Sequence, residues 1–113
     1  VLDTVLAVTK RRTDGDGLEF SRDEVRADYL ERLAAASESA RWVCAADKVH
    51  NAGATLADLR RTIDADTVWG RFGAGREGTL RWYRDVSARL HAIGFDAPIM
   101  TELDALIREL GTV

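Results

Sequence analysis

The chain has 113 residues, of which 46% are hydrophobic and 31% are charged, and its formal net charge at pH 7 is −3. This length and composition predict one domain with a modest core, and the slightly negative charge excludes a global positive field for nucleic acid or an anionic membrane. The single Cys44 excludes an internal disulfide, and the absence of a leader or a long apolar run predicts a cytoplasmic protein without a membrane partner.

The pattern along the chain predicts an all-α fold, a helical bundle of about five helices, because proline occurs once and strand-like alternation is scarce. Residues 1–12 have the apolar periodicity of a helix that begins without a cap or a methionine. We therefore expect the sequence to be a piece of a longer protein. The TDGDG stretch at 13–17 predicts a loop, because glycine and aspartate favour turns.

The next two helices have recognisable starts. Ser21 and Glu24 have the spacing of a capping box, which predicts a helix from there to about Ala36. Ser37 or Ser39 can cap the following helix, which we expect to end near residue 60.

The C-terminal part of the chain predicts a short helical turn within 64–75 and a long helix over about 76–93 that ends at Gly94. Pro98 suits the first turn of the last helix. That helix carries an apolar stripe of Ile99, Leu103, Leu106, Ile107 and Leu110.

The helix over about 38–60 carries a polar patch in an otherwise small and apolar run. Asp47, His50, Asn51 and Asp58 share a face, which is typical of a pocket wall. Asp47 could instead be exposed or paired with an arginine, His50 could be a hydrogen-bonded core residue, and Asp58 could pair with a nearby arginine. The functional alternative is a divalent cation, which keeps a buried carboxylate ionised.

Residues 70–78 are rich in glycine but lack the Gly-Lys-Ser/Thr of a phosphate-binding loop, so they indicate a connector. The aromatic residues around this connector are more typical of a core than of a surface that stacks on a base. On the long helix that follows, Tyr83 falls on the apolar face and Trp82 is the member predicted to be exposed.

The run AADKVHN at 45–51 resembles the last signature of the HD-superfamily metal-dependent phosphohydrolases, particularly the RelA/SpoT-like branch that hydrolyses ppGpp. The segments 7–12, 26–51, 67–90 and 98–110 resemble successive helices of that domain in order and spacing. By this resemblance, residues 1–113 form the C-terminal portion of a single HD-type domain.

The resemblance implies a hydrolase that removes the 3′ pyrophosphate from a guanosine polyphosphate and needs a divalent metal, often manganese. Asp47 matches a metal ligand of the family, and Asn51 matches an asparagine that contacts the nucleotide substrate. Arg76 loosely matches an arginine near the phosphates, and Lys10 a lysine at the pocket rim.

The sequence also departs from the family, because it contains no His-Asp dipeptide and no acidic pair after one. The catalytic residues are therefore unidentified, and we expect this chain alone to be inactive. Loss of the N-terminal helices would expose apolar surface on the Asp47 helix, which predicts self-association into a homo-oligomer.

Two alternatives remain open at the level of sequence. A non-catalytic helical interaction module predicts that Asp47 is exposed or paired, with no cavity beside it. A nucleotide-sensing pseudo-HD domain predicts that Asn51 and Arg76 face a pocket without a metal.

Overall fold

A computed structural model describes residues 21–113, which form five α-helices and contain no strand. The helices are α1 (Arg22–Ala34), α2 (Glu38–Arg61), α3 (Ala65–Trp69), α4 (Gly75–Ala92) and α5 (Pro98–Leu110). The prediction of an all-α bundle is thus confirmed, while the helix expected at 1–12, the loop at 13–17 and Lys10 lie outside the described residues. Within 21–113, no helix is both long enough and apolar enough to span a membrane.

Local sequence signals set the starts of the helices. The Ser21 hydroxyl accepts a hydrogen bond from the Glu24 amide, and the Glu24 carboxylate accepts one from the Ser21 amide, both at 3.2 Å. The Ser37 hydroxyl accepts from the Ala40 amide at the start of α2, and Pro98 is the first residue of α5. Each such cap stabilises its helix by about 1 kcal/mol. The predicted helix starts are confirmed, and the ends lie within two residues of those expected.

Helix α2 is the centre of the fold, because it packs along α5 and also contacts α3 and α4, while α1 packs on α4. The core takes side chains from every helix, and burial of each large apolar one contributes roughly 1.5–3 kcal/mol. The fully buried members are Tyr29, Leu33, Leu80, Leu90, Met100, Leu103, Leu110, Val86 and Cys44. Of the predicted stripe on α5, Leu103, Ile107 and Leu110 are buried, and Ile99 and Leu106 are partly buried.

Tyr29 joins α1 to α2, since its hydroxyl donates a hydrogen bond to the Cys44 sulfur at 3.1 Å. Burial raises the pKa of the Cys44 thiol, and burial followed by the neighbouring Cys44 raises the pKa of the Tyr29 hydroxyl. Both groups are therefore neutral at physiological pH. Cys44 is a structural residue inside the core and not a reactive thiol.

Trp82 is only 4% exposed, so the prediction that it faces solvent is wrong. The reason is α1, which crosses α4 and sets the Tyr29 ring edge-on to Trp82 at a centroid distance of 5.5 Å. Tyr83 and Trp69 are buried, as predicted for core aromatics. The exposed tryptophan is Trp42 on α2, which is 41% exposed.

A cluster of paired charges fastens the C-terminal end of α4 to α5. His91 lies between two carboxylates, with Nδ1 at 2.7 Å from Asp96 Oδ1 and Nε2 at 2.8 Å from Asp104 Oδ2. The Ser87 hydroxyl donates to the other oxygen of Asp104. Only a protonated imidazole donates on both sides, and hydrogen bonds to Asp104 and then Asp96 accordingly raise the pKa of His91.

Candidate functional site

Asp47 lies on the outer face of α2 with 53% of its side chain exposed. Its Oδ2 atom is 3.0 Å from the Lys48 ammonium and accepts a hydrogen bond from the Asn51 carboxamide at 3.4 Å. Among residues 21–113, no group donates a hydrogen bond to Oδ1. The alternative in which Asp47 is exposed is therefore confirmed, because Cys44, Ala45 and Lys48 occupy the inner face of the helix.

Lys48 is the buried charge of this helix, with a side chain only 7% exposed. Its ammonium lies over the Tyr29 ring, 5.3 Å from the centroid, and pairs with Asp47. A buried ammonium is costly without such partners, so the pair and the ring contact compensate for its loss of water. The lysine stem thus passes through apolar surroundings and brings a positive charge next to Asn51.

A cavity of about 340 Å³ opens where α1, α2, the 70–74 connector and the start of α4 meet. All of its charged lining residues are basic: Arg22, Arg26, Lys48 and Arg71. The remaining polar and aromatic lining residues include Asn51, Thr79, Phe72, Trp82 and Tyr83. Within the part of the chain that the structure describes, no carboxylate faces this space. Its volume falls in the range of small-molecule sites.

Backbone carbonyls of the connector and of the first turn of α4 each hold one of these cations. Arg22 Nη1 donates to the Gly73 carbonyl at 3.1 Å, and Arg26 Nη1 donates to the Gly78 carbonyl at 3.3 Å. Burial and then the positive charge of Arg22 lower the pKa of Arg26, although a guanidinium stays protonated in proteins. The arginines of α1 therefore face the cavity as permanent cations.

Arg71 enters the cavity from the connector and pairs with Asp58 at 2.8 Å. Asp58 also pairs with Arg61 at 3.0 Å, which confirms its prediction as a partner of nearby arginines. Hydrogen bonds from Arg71 and then Arg61 hold the pKa of Asp58 below its usual value.

An adjoining hollow of about 290 Å³ extends the cavity along α2. It shares Asn51, Arg71, Phe72 and Tyr83 with the cavity and reaches Thr55 and Asp58. Burial and then the charge of Asp47 raise the pKa of Tyr83, so its phenol is neutral. Together the two hollows form a groove. Aromatic side chains line its middle, and the charged residues at the cavity end are all basic.

Arg76 points away from this groove. Its guanidinium donates to the Gly111 carbonyl at 3.0 Å and pairs with Glu77 at 2.7 Å. The structure therefore brings Asn51 together with Lys48 and Arg71, but not with Arg76, whose phosphate contact stays a prediction. His50 is exposed, so the alternative of a core histidine is wrong.

The described residues do not form a metal site by themselves. Among residues 21–113, no three His, Cys, Asp or Glu side chains converge on a point that could hold a metal ion. A bound divalent metal takes three or more protein ligands in most catalytic sites, and here Asp47 offers one. Any further ligands must come from residues outside 21–113.

No protein-family model matches this chain, and a comparison with curated proteins likewise gives no match. The likeness to HD-type hydrolases therefore rests on the AADKVHN run and on the order of the helices.

Proposed function

We propose that the protein is a metal-dependent phosphohydrolase of the HD type that acts on a nucleotide phosphate in the cytoplasm, with guanosine polyphosphates as the leading substrates. One observation carries the proposal. Lys48 and Asn51, which both follow Asp47 in the AADKVHN run, line a cavity whose charged residues are all basic. A site of this composition suits a polyanionic ligand with an aromatic base.

The residues of the groove have complementary roles in this proposal. Lys48 and Arg71 balance the negative charge of the phosphates, since charge-assisted hydrogen bonds to phosphate are strong and directional. Asn51 offers a carboxamide that can donate and accept at the nucleotide. Phe72 and Tyr83 present ring surface to the base, and a stacked base contributes roughly 1–3 kcal/mol.

Asp47 would supply one metal ligand through the open Oδ1 atom, with manganese as the metal that the resemblance favours. The other ligands and the catalytic groups would come from outside residues 21–113. No catalytic residue is assigned within the described part of the chain.

The test is manganese-dependent release of pyrophosphate from ppGpp by the full-length protein that carries this sequence. Asp47→Asn should lower the rate by at least about a hundredfold, because it removes a ligand charge. Asp66→Asn, an exposed change on α3, is the matched control and should leave the rate unchanged. Hydrolysis that persists in EDTA, or in Asp47→Asn, would rule the proposal out.

A nucleotide sensor of the pseudo-HD type is the second candidate. It is favoured by Asn51, which lines a basic cavity. It predicts that ppGpp binds and is recovered intact after incubation with manganese. The sequence-based version of this hypothesis also placed Arg76 in the pocket, and that part does not fit the observed position of Arg76.

The interaction-module hypothesis finds support in the exposed, paired Asp47 but not in the cavity beside it. It would use Trp42 and Val43, which are 41% and 44% exposed on α2. Light scattering across a range of concentrations tests the predicted self-association, and Trp42→Ser should shift the protein toward monomer if these residues form the contact.

A further inference from the structure

Arg22 and Arg26 belong to the cavity wall but have no part in the roles proposed above for α2 and the connector. They lie one turn apart on α1, so both guanidinium groups reach the same side of the helix. Like charges at this spacing repel each other. Together with burial, the positive charge of Arg22 helps to lower the pKa of Arg26, as this repulsion predicts.

The four cations of the cavity differ in how their charge is compensated. Lys48 pairs with Asp47, and Arg71 pairs with Asp58. Among residues 21–113, neither Arg22 nor Arg26 forms an ion pair with a carboxylate; each donates one hydrogen bond to a backbone carbonyl instead. A guanidinium has five N–H donors, so most of the donors of both side chains are left for a ligand.

We propose that Arg22 and Arg26 form a metal-independent binding site for a pyrophosphate group, which anchors the phosphate chain of the nucleotide against α1. The inference rests on the proposed function for the identity of the nucleotide, whereas the pyrophosphate subsite follows from the cations alone. Two planar guanidinium groups match the oxygens of adjacent phosphates, which favours a diphosphate or triphosphate over a single phosphate.

The same anchor acts on the connector. Arg22 and Arg26 hold the carbonyls of Gly73 and Gly78, which lie on either side of the first residue of α4. A pyrophosphate that binds both arginines therefore links α1, the connector and α4 through one ligand. Gly73 is part of this fit, because a Cβ added there would lie 2.7 Å from Arg22 Nη2.

The experiment is calorimetric titration of the chain with sodium pyrophosphate in EDTA, with sodium sulfate at equal ionic strength as the comparison anion. Arg22→Met with Arg26→Met should weaken pyrophosphate binding at least tenfold. Arg84→Met with Arg108→Met is the matched control, because it removes the same charge from a separate hollow between α4 and α5. That control should stay within twofold of the parent.

Two gentler variants keep the test decisive if the double methionine variant does not fold. Gly73→Ala keeps every charge but shifts the flexible end of the Arg22 side chain, and should weaken binding at most severalfold without changing the melting temperature. Arg22→Lys with Arg26→Lys should retain part of the affinity. Full affinity in the double methionine variant or in the double lysine variant, or equal binding of sulfate and pyrophosphate, would overturn the proposal.

The outcomes separate this site from the proposed hydrolysis. Pyrophosphate binding that depends on Arg22 and Arg26, with no hydrolysis of any nucleotide by the full-length protein, would sustain the site and defeat the proposed function. Manganese-dependent hydrolysis with an unchanged KM in the double methionine variant would defeat the site and sustain the function.

Discussion

Charged side chains gather at two places in this protein, and the two clusters are built in opposite ways. At the end of α4, His91 stands between Asp96 and Asp104, and every charge has an opposite partner. Around the cavity, the charged lining residues all have the same sign, and two of them have no carboxylate partner among residues 21–113. Paired charges hold two helices together, whereas a cluster of one sign adds repulsion to the folded state.

This difference indicates what each cluster is for. A satisfied network adds to stability and defines the position of the groups that it joins. A cluster of like charges makes sense when a ligand of opposite charge completes it, and such clusters mark binding sites. The difference can be tested by substitutions that separate stability from binding.

The largest effect should come from Lys48→Met. Loss of a charge-assisted hydrogen bond costs about 1.5–3 kcal/mol, so the affinity for ppGpp should fall roughly tenfold to a hundredfold. The free energy of unfolding should stay level or rise, because methionine fills the buried volume without a charge to desolvate. Calorimetric titration and urea unfolding measure the two quantities. If stability fell by as much free energy as binding, Lys48 would be a structural residue like those of the His91 cluster, and the proposed difference between the two clusters would be wrong.

The next largest effect should come from Asp104→Asn in the paired cluster. Ser87 and His91 lose their anionic acceptor, which should lower the free energy of unfolding by about 1–3 kcal/mol near pH 6. Pyrophosphate affinity should not change, since Asp104 lies outside the cavity. Glu102→Gln, exposed on the same helix, is the control and should stay within about 0.5 kcal/mol of the parent in urea unfolding.

The smallest effect concerns pH. The folded-state pKa of His91 is raised by Asp104 and Asp96, so its stabilisation is complete below the unfolded pKa of about 6.5 and is lost as pH rises through the folded value. Because His91 is 41% exposed, solvent screening limits the loss to at most about 1 kcal/mol. Urea unfolding from pH 6 to pH 9 measures it, and His91→Gln should flatten the curve.

Low pH should also weaken this cluster, through protonation of Asp104. Burial raises the pKa of Asp104, but hydrogen bonds from Ser87 and His91 outweigh that effect and leave the pKa below its usual value. The contribution of Asp104 is therefore present above its unfolded pKa and lost as pH falls through the lowered one. Between the unfolded pKa of Asp104 and the unfolded pKa of His91, the cluster makes its full contribution to the free energy of unfolding.

Much of the fold could be predicted from local signals. The capping box at Ser21, the cap at Ser37, Pro98 and the apolar stripe of α5 each depend on residues within a few positions of one another. Trp82 could not be placed correctly, because its burial depends on Tyr29, which is distant in sequence and comes from another helix.

The site was harder to predict for two physical reasons. On α2, small alanines on both faces give little contrast, so periodicity did not show that Lys48 points inward and Asp47 outward. Arg22 and Arg26 reach the cavity only because α1 packs on α4, which brings them to carbonyls about 50 positions further along the chain. A lysine within an otherwise apolar run is the one local feature of the sequence that indicates this arrangement.

The placement of the three tryptophans has a practical consequence for spectroscopy. Trp42 lies exposed on α2, whereas Trp69 and Trp82 are buried, and the Arg26 guanidinium lies 5.1 Å from the centroid of the Trp82 ring. An anion that binds Arg26 in the cavity changes the electrostatic surroundings of this indole and should therefore change its fluorescence. In a Trp42→Phe variant, which lacks the emission of the exposed tryptophan, ligand binding in the cavity could be followed by intrinsic tryptophan fluorescence without an attached dye.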